Sequence, residues 1–158
     1  IEKVNKVEDK KAAVEMAYSE NSAILIEEFL DGREFTCGVV CGKDEFKALA
    51  VTEIATEREF FDYKAKYELD QTREITPAEL PEELYKKCQS TSVAIAKSFE
   101  CNGVVRIDYK LVDDVFHVIE INTVPGMSLA SLVPKQAAAV GISKTELIVL
   151  MIESARPQ

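Results

Sequence analysis

Asp108, Glu120 and Asn122 stand on two neighbouring strand-like runs of a 158-residue chain, and oxygen donors of these types can hold a hard metal ion. Successive side chains of a strand point to opposite faces. Ile107, Tyr109 and Leu111 therefore share one face of the run 103–112, and Ile119 and Ile121 share one face of the run 115–122. If both apolar sets enter one core, the opposite face carries Arg106, Asp108, Lys110, Glu120 and Asn122. Two carboxylates and an amide then converge on one surface with a guanidinium beside them. Mg²⁺ takes one or two carboxylates, completed by water and substrate phosphates. The predicted chemistry is a pair of ions, bridged by Glu120, that clamps nucleotide phosphates. A solvated sheet face with a salt bridge from Arg106 to an acid fits the same spacing, and spacing alone does not choose between the two.

The hairpin carries its own condition. A two-residue turn at Asp113-Asp114 pairs Asp108 with Ile119 and sends Glu120 to the wrong face. The cluster therefore requires an odd-length connection or a one-residue bulge.

Around this hairpin, the apolar stripe Ala12, Ala13, Met16 and Ala17 predicts a helix over 8–20. Ile24-Leu25-Ile26 reads as a short buried strand that ends in a turn at Asp31-Gly32. Phe35 to Val40 and Phe46 to Val51 read as a hairpin around Cys41-Gly42-Lys43-Asp44. Residues 54–76 are charged and aromatic without a period, as functional lids and disordered segments are. Pro81 opens a helix with Glu82 and Glu83 in its first turn, where the dipole favours acids, and Leu84, Cys88, Thr91, Ile95 and Phe99 mark its buried face. A helix from Ser131 to about Val140 stops at Gly141. Ser143-Lys144-Thr145-Glu146 is a capping box that starts a last helix, to about Ala155. This order predicts an α+β domain, mainly antiparallel sheet with helices packed on one face.

Composition narrows the partners. A net charge of −9 argues against nucleic acid, which needs a basic surface. No apolar run approaches the roughly 20 residues that cross a bilayer. Four cysteines without a CxxC pair, and a single histidine, His117, argue against zinc and for reduced, half-buried thiols in a cytoplasmic protein. The chain starts at Ile1 with no initiator Met and no secretory leader, so a fragment is expected.

Four segments together carry a family resemblance. Val118-Ile119-Glu120-Ile121-Asn122-Thr123-Val124-Pro125-Gly126-Met127-Ser128 runs into Ser131-Leu132-Val133-Pro134, and Gly103-Val104-Val105-Arg106-Ile107-Asp108 precedes it. This resembles the C-terminal part of the D-alanine–D-alanine ligases of the ATP-grasp superfamily. Upstream, Glu27-Glu28-Phe29-Leu30-Asp31-Gly32-Arg33-Glu34 resembles the adenine-binding hinge of that family, and Phe61-Asp62-Tyr63-Lys64-Ala65-Lys66-Tyr67 its mobile omega loop. The resemblance implies an ATP-grasp C-terminal catalytic domain over 34–158, and over 1–33 the hinge and a remnant of the central ATP-grasp subdomain.

The resemblance also implies roles. Asp108, Glu120 and Asn122 would hold two Mg²⁺ ions, with Mn²⁺ as the substitute. Backbone and apolar groups of Glu28, Phe29 and Leu30 would cradle adenine, with Glu27 nearby, and Glu34 would accept from the ribose hydroxyls. Phe60 and Lys66 would join the nucleotide site, with Lys66 on the phosphates and Tyr67 beside it at the reacting groups. Arg106 and the Gly126 N–H would stabilise the tetrahedral oxyanion. Ser131 and the Leu132 N–H, at a helix N-terminus, would hold the carboxylate of the second D-alanine, again with Arg106 close by. The implied reaction uses ATP to activate one D-alanine as an acylphosphate, which the amine of a second attacks, in peptidoglycan precursor synthesis. The full-length enzyme is expected to be a cytoplasmic homodimer, and this chain by itself to be inactive and to bind ATP weakly. Leu129-Ala130 stands where many relatives have Ser-His. D-alanine–D-lactate ligases and other ATP-grasp carboxylate–amine ligases are the nearest alternatives, and the Lys66-Tyr67 pair favours the dipeptide enzyme. A non-catalytic acidic metal-binding module or a purely structural domain would leave the segment from Asn122 to Gly126 unexplained.

Overall fold

A helix buries its apolar stripe only where a second layer exists to receive it, and the two ends of this chain differ in that respect. The computed structural model describes residues 3–43, 45–56 and 72–155, and the chain divides into two compact units, Ile1–Asp31 and Gly32–Gln158. In the first unit a 3₁₀ turn, Val7–Asp9, leads into α1 (Lys10–Glu20), which has no buried residue. The predicted helix is there, but its stripe stays open and Met16 is exposed. The predicted strand at Ile24-Leu25-Ile26 is absent: the backbone forms no ladder, Ile24 is only half-buried, and Leu25 and Ile26 are exposed. An apolar triplet becomes a strand only by bonding to a neighbouring strand, and the described residues of this unit contain none.

The second unit is built on a five-stranded antiparallel sheet. In chain order its strands are β1 (Arg33–Cys41), β2 (Phe46–Thr56), β3 (Thr72–Ile75), β4 (Gly103–Val112) and β5 (Val115–Asn122). Across the sheet the order is β3-β2-β1-β4-β5, which puts β1 at the centre. The helices are α2 (Glu82–Ser98), α3 (Leu132–Ala139) and α4 (Lys144–Ser154). The predicted hairpin and all three helices of this unit are present with boundaries close to those expected.

Helices pack on both faces of the sheet, not on one as the order of elements suggested. Phe35, Cys37, Val39 and Cys41 of β1 join Val105, Ile107, Tyr109 and Leu111 of β4 in a core that Cys88 and Ala96 of α2 close. Val40, Leu49 and Val104 on the other face pack with Val133 and Ala137 of α3, Ile142, and Leu147 of α4. Fully burying each of Phe35, Leu49, Ile107 and Leu147 contributes roughly 1.5–3 kcal/mol. The buried face of α2 is Cys88, Ser92 and Ala96, with Leu84, Thr91 and Ile95 half-buried. Phe99 follows the last helical turn and is 68% exposed, so the helical period no longer aims it at the sheet. All four cysteines are free thiols, and burial pushes Cys41 up to about 12.

α4 begins as predicted. Ser143 Oγ accepts from the Glu146 N–H at 3.2 Å and the Glu146 carboxylate accepts from the Ser143 N–H at 2.8 Å. Gly141, past the end of α3, takes φ +78°, which a side chain would strain.

Candidate active site

Asp113 and Asp114 both adopt positive φ, 48° and 60°, the conformation of a tight two-residue hairpin turn. Val112 accordingly pairs with Val115, and Leu111, Lys110 and Tyr109 pair with Phe116, His117 and Val118. Left uninterrupted, this register would set Asp108 opposite Ile119. Instead the ladder shifts between Tyr109 and Asp108, so that Asp108 pairs with Glu120, Ile107 with Ile121 and Arg106 with Asn122. Ile119 is the extra residue of a one-residue β-bulge. The condition set by the sequence is met by a bulge, four residues from the turn.

The bulge also corrects one assignment. Ile119 does not enter the core with Ile121: it is half exposed and lines a cavity of about 170 Å³ with Glu34, Asp108, Lys110 and Glu120. Ile121 packs on the α2 core as expected.

The polar floor lies on the face that α3 and α4 only partly cover. Along β4 that face reads Val104, under the helices, then Arg106, Asp108 and Lys110. Register across the sheet places Gly38 beside Arg106, Thr36 beside Asp108 and Glu34 beside Lys110. Arg106 is bidentate on Asp108, with Nε donating to Oδ1 at 2.8 Å and Nη2 to Oδ2 at 2.7 Å. Its Nη2 is 3.7 Å from Glu120 Oε1. The bond to Asp108, and the fields of Asp108 and Glu120, raise the guanidinium above its ordinary value and keep it charged. Lys110 Nζ lies 3.1 Å from Glu34 Oε2, and it donates to the Gly32 carbonyl at 3.4 Å. Three carboxylates thus face two cations. Asn122 turns its amide oxygen to the Val124 N–H at 3.1 Å, which folds the chain into the next segment.

In that segment a Cβ on Gly126 would fall 2.9 Å from Ser131 Oγ, so the close approach needs glycine. Ser131 is the N-cap of α3, but its side chain caps nothing in its own helix. It accepts from the Ser128 N–H at 3.1 Å and shares a 2.8 Å bond with Ser128 Oγ. The first amides of α3, Leu132 foremost, are left to an outside acceptor, and a helix N-terminus favours an anion there.

A family model described as D-ala D-ala ligase C-terminus matches residues 1–153. The chain belongs to this family. The D-alanine--D-alanine ligase of Flavobacterium johnsoniae is 41% identical over 153 residues, 97% of this chain and 47% of that protein. Among solved structures, the D-alanine--D-alanine ligase from Bacillus anthracis complexed with ATP matches with a TM-score of 0.78 at 36% identity, over 96% of this chain and 48% of the other. The VanG D-Ala:D-Ser ligase from Enterococcus faecalis matches with a TM-score of 0.80 at 30% identity, over 93% and 43%. The chain spans about half the length of the D-alanine--D-alanine ligases it matches. The antiparallel sheet and its helices are the α+β fold of the ligase C-terminal part.

The ligase fold thus gathers Glu34, Arg106, Asp108 and Glu120 on one floor, with Asn122 at its edge, while Gly126 and Ser131 form a second group. Glu27, Glu28, Phe29 and Leu30 lie in the first unit without regular structure, and within that unit Lys3 Nζ sits 3.3 Å from the centre of the exposed Phe29 ring. Phe60, Lys66 and Tyr67 lie outside the described residues. Among the described residues, no group of three or more His, Cys, Asp and Glu side chains could hold a metal ion. The predicted set is two carboxylates and an amide. Two roles go beyond those expected from the sequence, Ile119 as a cavity wall and Lys110 as the partner of Glu34. Placing the bulge would have exposed the first, and the alternation that puts Lys110 on the polar face was the available signal for the second. No helix of the described residues is long and apolar enough to cross a membrane.

Proposed function

We propose that this chain is the catalytic C-terminal part of a longer ATP-dependent ligase that joins two D-alanines through an acylphosphate. The observation that carries this reading is the bulge at Ile119, which sets Glu120 opposite Asp108 on the open, charged part of the sheet in a chain of this family. The whole enzyme is a cytoplasmic homodimer that serves peptidoglycan precursor synthesis.

Asp108, Glu120 and the Asn122 amide are hard oxygen donors that suit Mg²⁺, and Mn²⁺ in its place. Bound there, the ions neutralise charge on the ATP phosphates. The remaining work belongs to the chain. Glu34 accepts from the ribose hydroxyls, with Lys110 holding its carboxylate, and Ile119 offers an apolar wall to the nucleotide. Glu27, Glu28, Phe29 and Leu30 take the adenine, and Phe60 and Lys66 complete the nucleotide site, with Tyr67 beside the reacting groups. An oxygen of the first D-alanine carboxylate bonds to the γ-phosphorus as ADP leaves. The amine of the second D-alanine then bonds to the acyl carbon, phosphate departs and the amine loses its proton. Arg106 and the Gly126 N–H stabilise the oxyanion between these steps, because fixed donors are worth most where charge develops. Ser131 and the Leu132 N–H hold the acceptor carboxylate.

The resemblance to a D-Ala:D-Ser ligase at 30% identity leaves D-serine as a second acceptor to test, against D-alanine--D-alanine ligases that match at up to 41%. The Lys66-Tyr67 pair favours D-alanine. The test is a full-length assay with ATP, Mg²⁺ and D-alanine, alone and with D-serine or D-lactate, with Asp108→Ala and Glu120→Ala alongside. Dipeptide formation from D-alanine alone is expected, and near-normal turnover in both variants would overturn the metal assignment. The isolated chain should release no phosphate in response to D-alanine.

A further inference from the structure

Gln136 is polar, fully buried and unused by the reaction described above. It sits on the sheet-facing side of α3 between the core residues Val133 and Ala137. Both ends of its amide are engaged. Oε1 accepts from the Gly38 N–H at 2.9 Å, and Nε2 donates to the Thr36 carbonyl at 3.0 Å and to Thr52 Oγ1 at 3.1 Å.

The partners matter more than their number. A bulge between Cys37 and Val39 leaves Gly38 with no partner on β2, and its N–H turns to α3. A Cβ on Gly38 would lie 2.8 Å from Gln136 Oε1, so strand and side chain are fitted to each other. On its other side Gly38 pairs with Arg106, and Thr36 pairs with Asp108. One side chain therefore holds the two β1 positions that stand directly beside Arg106 and Asp108. It does so from a helix that starts four residues earlier, at Leu132 behind its N-cap Ser131.

Apolar packing is non-directional and tolerates a helix that slides or rolls, whereas hydrogen bonds of set length and angle do not. We propose that Gln136 is a positioning residue. It fixes the distance and roll between the α3 N-terminus and the strand positions of Arg106 and Asp108, and so sets where the acceptor carboxylate sits against the acyl carbon. This rests on the functional reading above.

The test uses the full-length enzyme. Gln136→Met fills the space without the hydrogen bonds. It should raise the KM for acceptor D-alanine about tenfold or more and lower kcat, while the KM for ATP stays within about twofold. Gln136→Glu keeps an acceptor for the Gly38 N–H and should fall between the two. A merely structural amide would lower Tm and leave the kinetic constants alone. Folded Gln136→Met with acceptor KM and kcat within about twofold of wild type overturns the proposal, whatever its Tm. If Gln136→Met does not fold, Thr52→Val decides, since it removes only one of the three partners. A rise of about two- to fivefold in acceptor KM supports the proposal and an unchanged value overturns it. Wild-type enzyme that forms no dipeptide overturns the functional reading and this inference with it.

Discussion

Under α2 the sheet is apolar from Phe35 to Cys41 on β1 and from Val105 to Leu111 on β4; on the opposite face the same two strands turn charged halfway along. There Val40 and Val104 lie beneath α3 and α4, whereas Glu34, Arg106, Asp108 and Lys110 lie beyond them. On the closed face burial pushes the Cys41 thiol and the Tyr109 phenol up and holds both neutral. The open face holds Arg106 charged, through Asp108. The apolar core under α2 and the proposed site thus lie on two sides of the same strands, one residue apart. This division can be broken by substituting neighbours.

The largest effect belongs to the closed face. Ile107→Ala removes a fully buried side chain and should cost about 2–5 kcal/mol in chemical denaturation. Any enzyme that remains folded should keep its KM values. A loss of substrate affinity out of proportion to unfolding would show that the two faces are coupled.

One residue further along β4 is Asp108, and across from it is Glu120, whose side chain is 60% exposed. Glu120→Gln should leave Tm almost unchanged, as surface substitutions do. Turnover should fall about 100-fold or more, the size expected when a charge-stabilising group is lost from an active site. Stopped-flow or coupled phosphate release reads the rate, and calorimetry reads the Tm. Parallel loss of both would mean that Glu120 belongs to the fold and not to the site.

How much of this was legible in the sequence follows the same division. The alternation of β4 and β5 was plain, and with it the polar set Arg106, Asp108, Lys110, Glu120 and Asn122. The need for a bulge followed from counting residues across Asp113-Asp114, but its place did not. Val118, Ile119 and Ile121 are all apolar, and only packing decides which of them leaves the core. The second helical layer was hidden because Thr36 and Gly38 bring no large apolar side chain to that face of β1, whereas the bulge at Gly38 and the amide of Gln136 make them part of an interior. In the first unit, Ile24-Leu25-Ile26 had the composition of a strand without a strand to bond. Composition states what a segment can do, and the neighbour decides whether it does.

A smaller effect sharpens the closed side. Tyr109 shares a 2.7 Å bond with Ser92, and Ser92 Oγ also donates to the Cys88 carbonyl at 2.8 Å. Tyr109→Phe leaves Ser92 satisfied, so the cost should be about 1 kcal/mol rather than that of an orphaned buried group. Turnover should be unchanged, because Tyr109 points away from Asp108. A change in turnover with so small a loss in stability would connect the phenol to the site through the strand.

The smallest effect concerns the capping box that anchors α4 over the half-covered face. The Ser143 side chain and then the Ser143 N–H hold the Glu146 carboxyl below its ordinary value of 4.5. A carboxyl lowered by folding stabilises the folded state when it is ionised. That contribution is complete above the unfolded value and is lost as the pH falls through the folded one. Ser143→Ala removes the hydroxyl from this arrangement, so its Tm should lie below wild type by a constant margin from pH 8 to pH 6, and the margin should narrow below about pH 4.5. The neutral hydrogen bond from the Glu146 N–H to Ser143 Oγ survives acid, so the margin should not close completely. Calorimetry across this range measures it. A margin that stays constant down to pH 3 would assign the cap to the hydroxyl alone, and one that widens in acid would reverse the sign of the carboxylate's part.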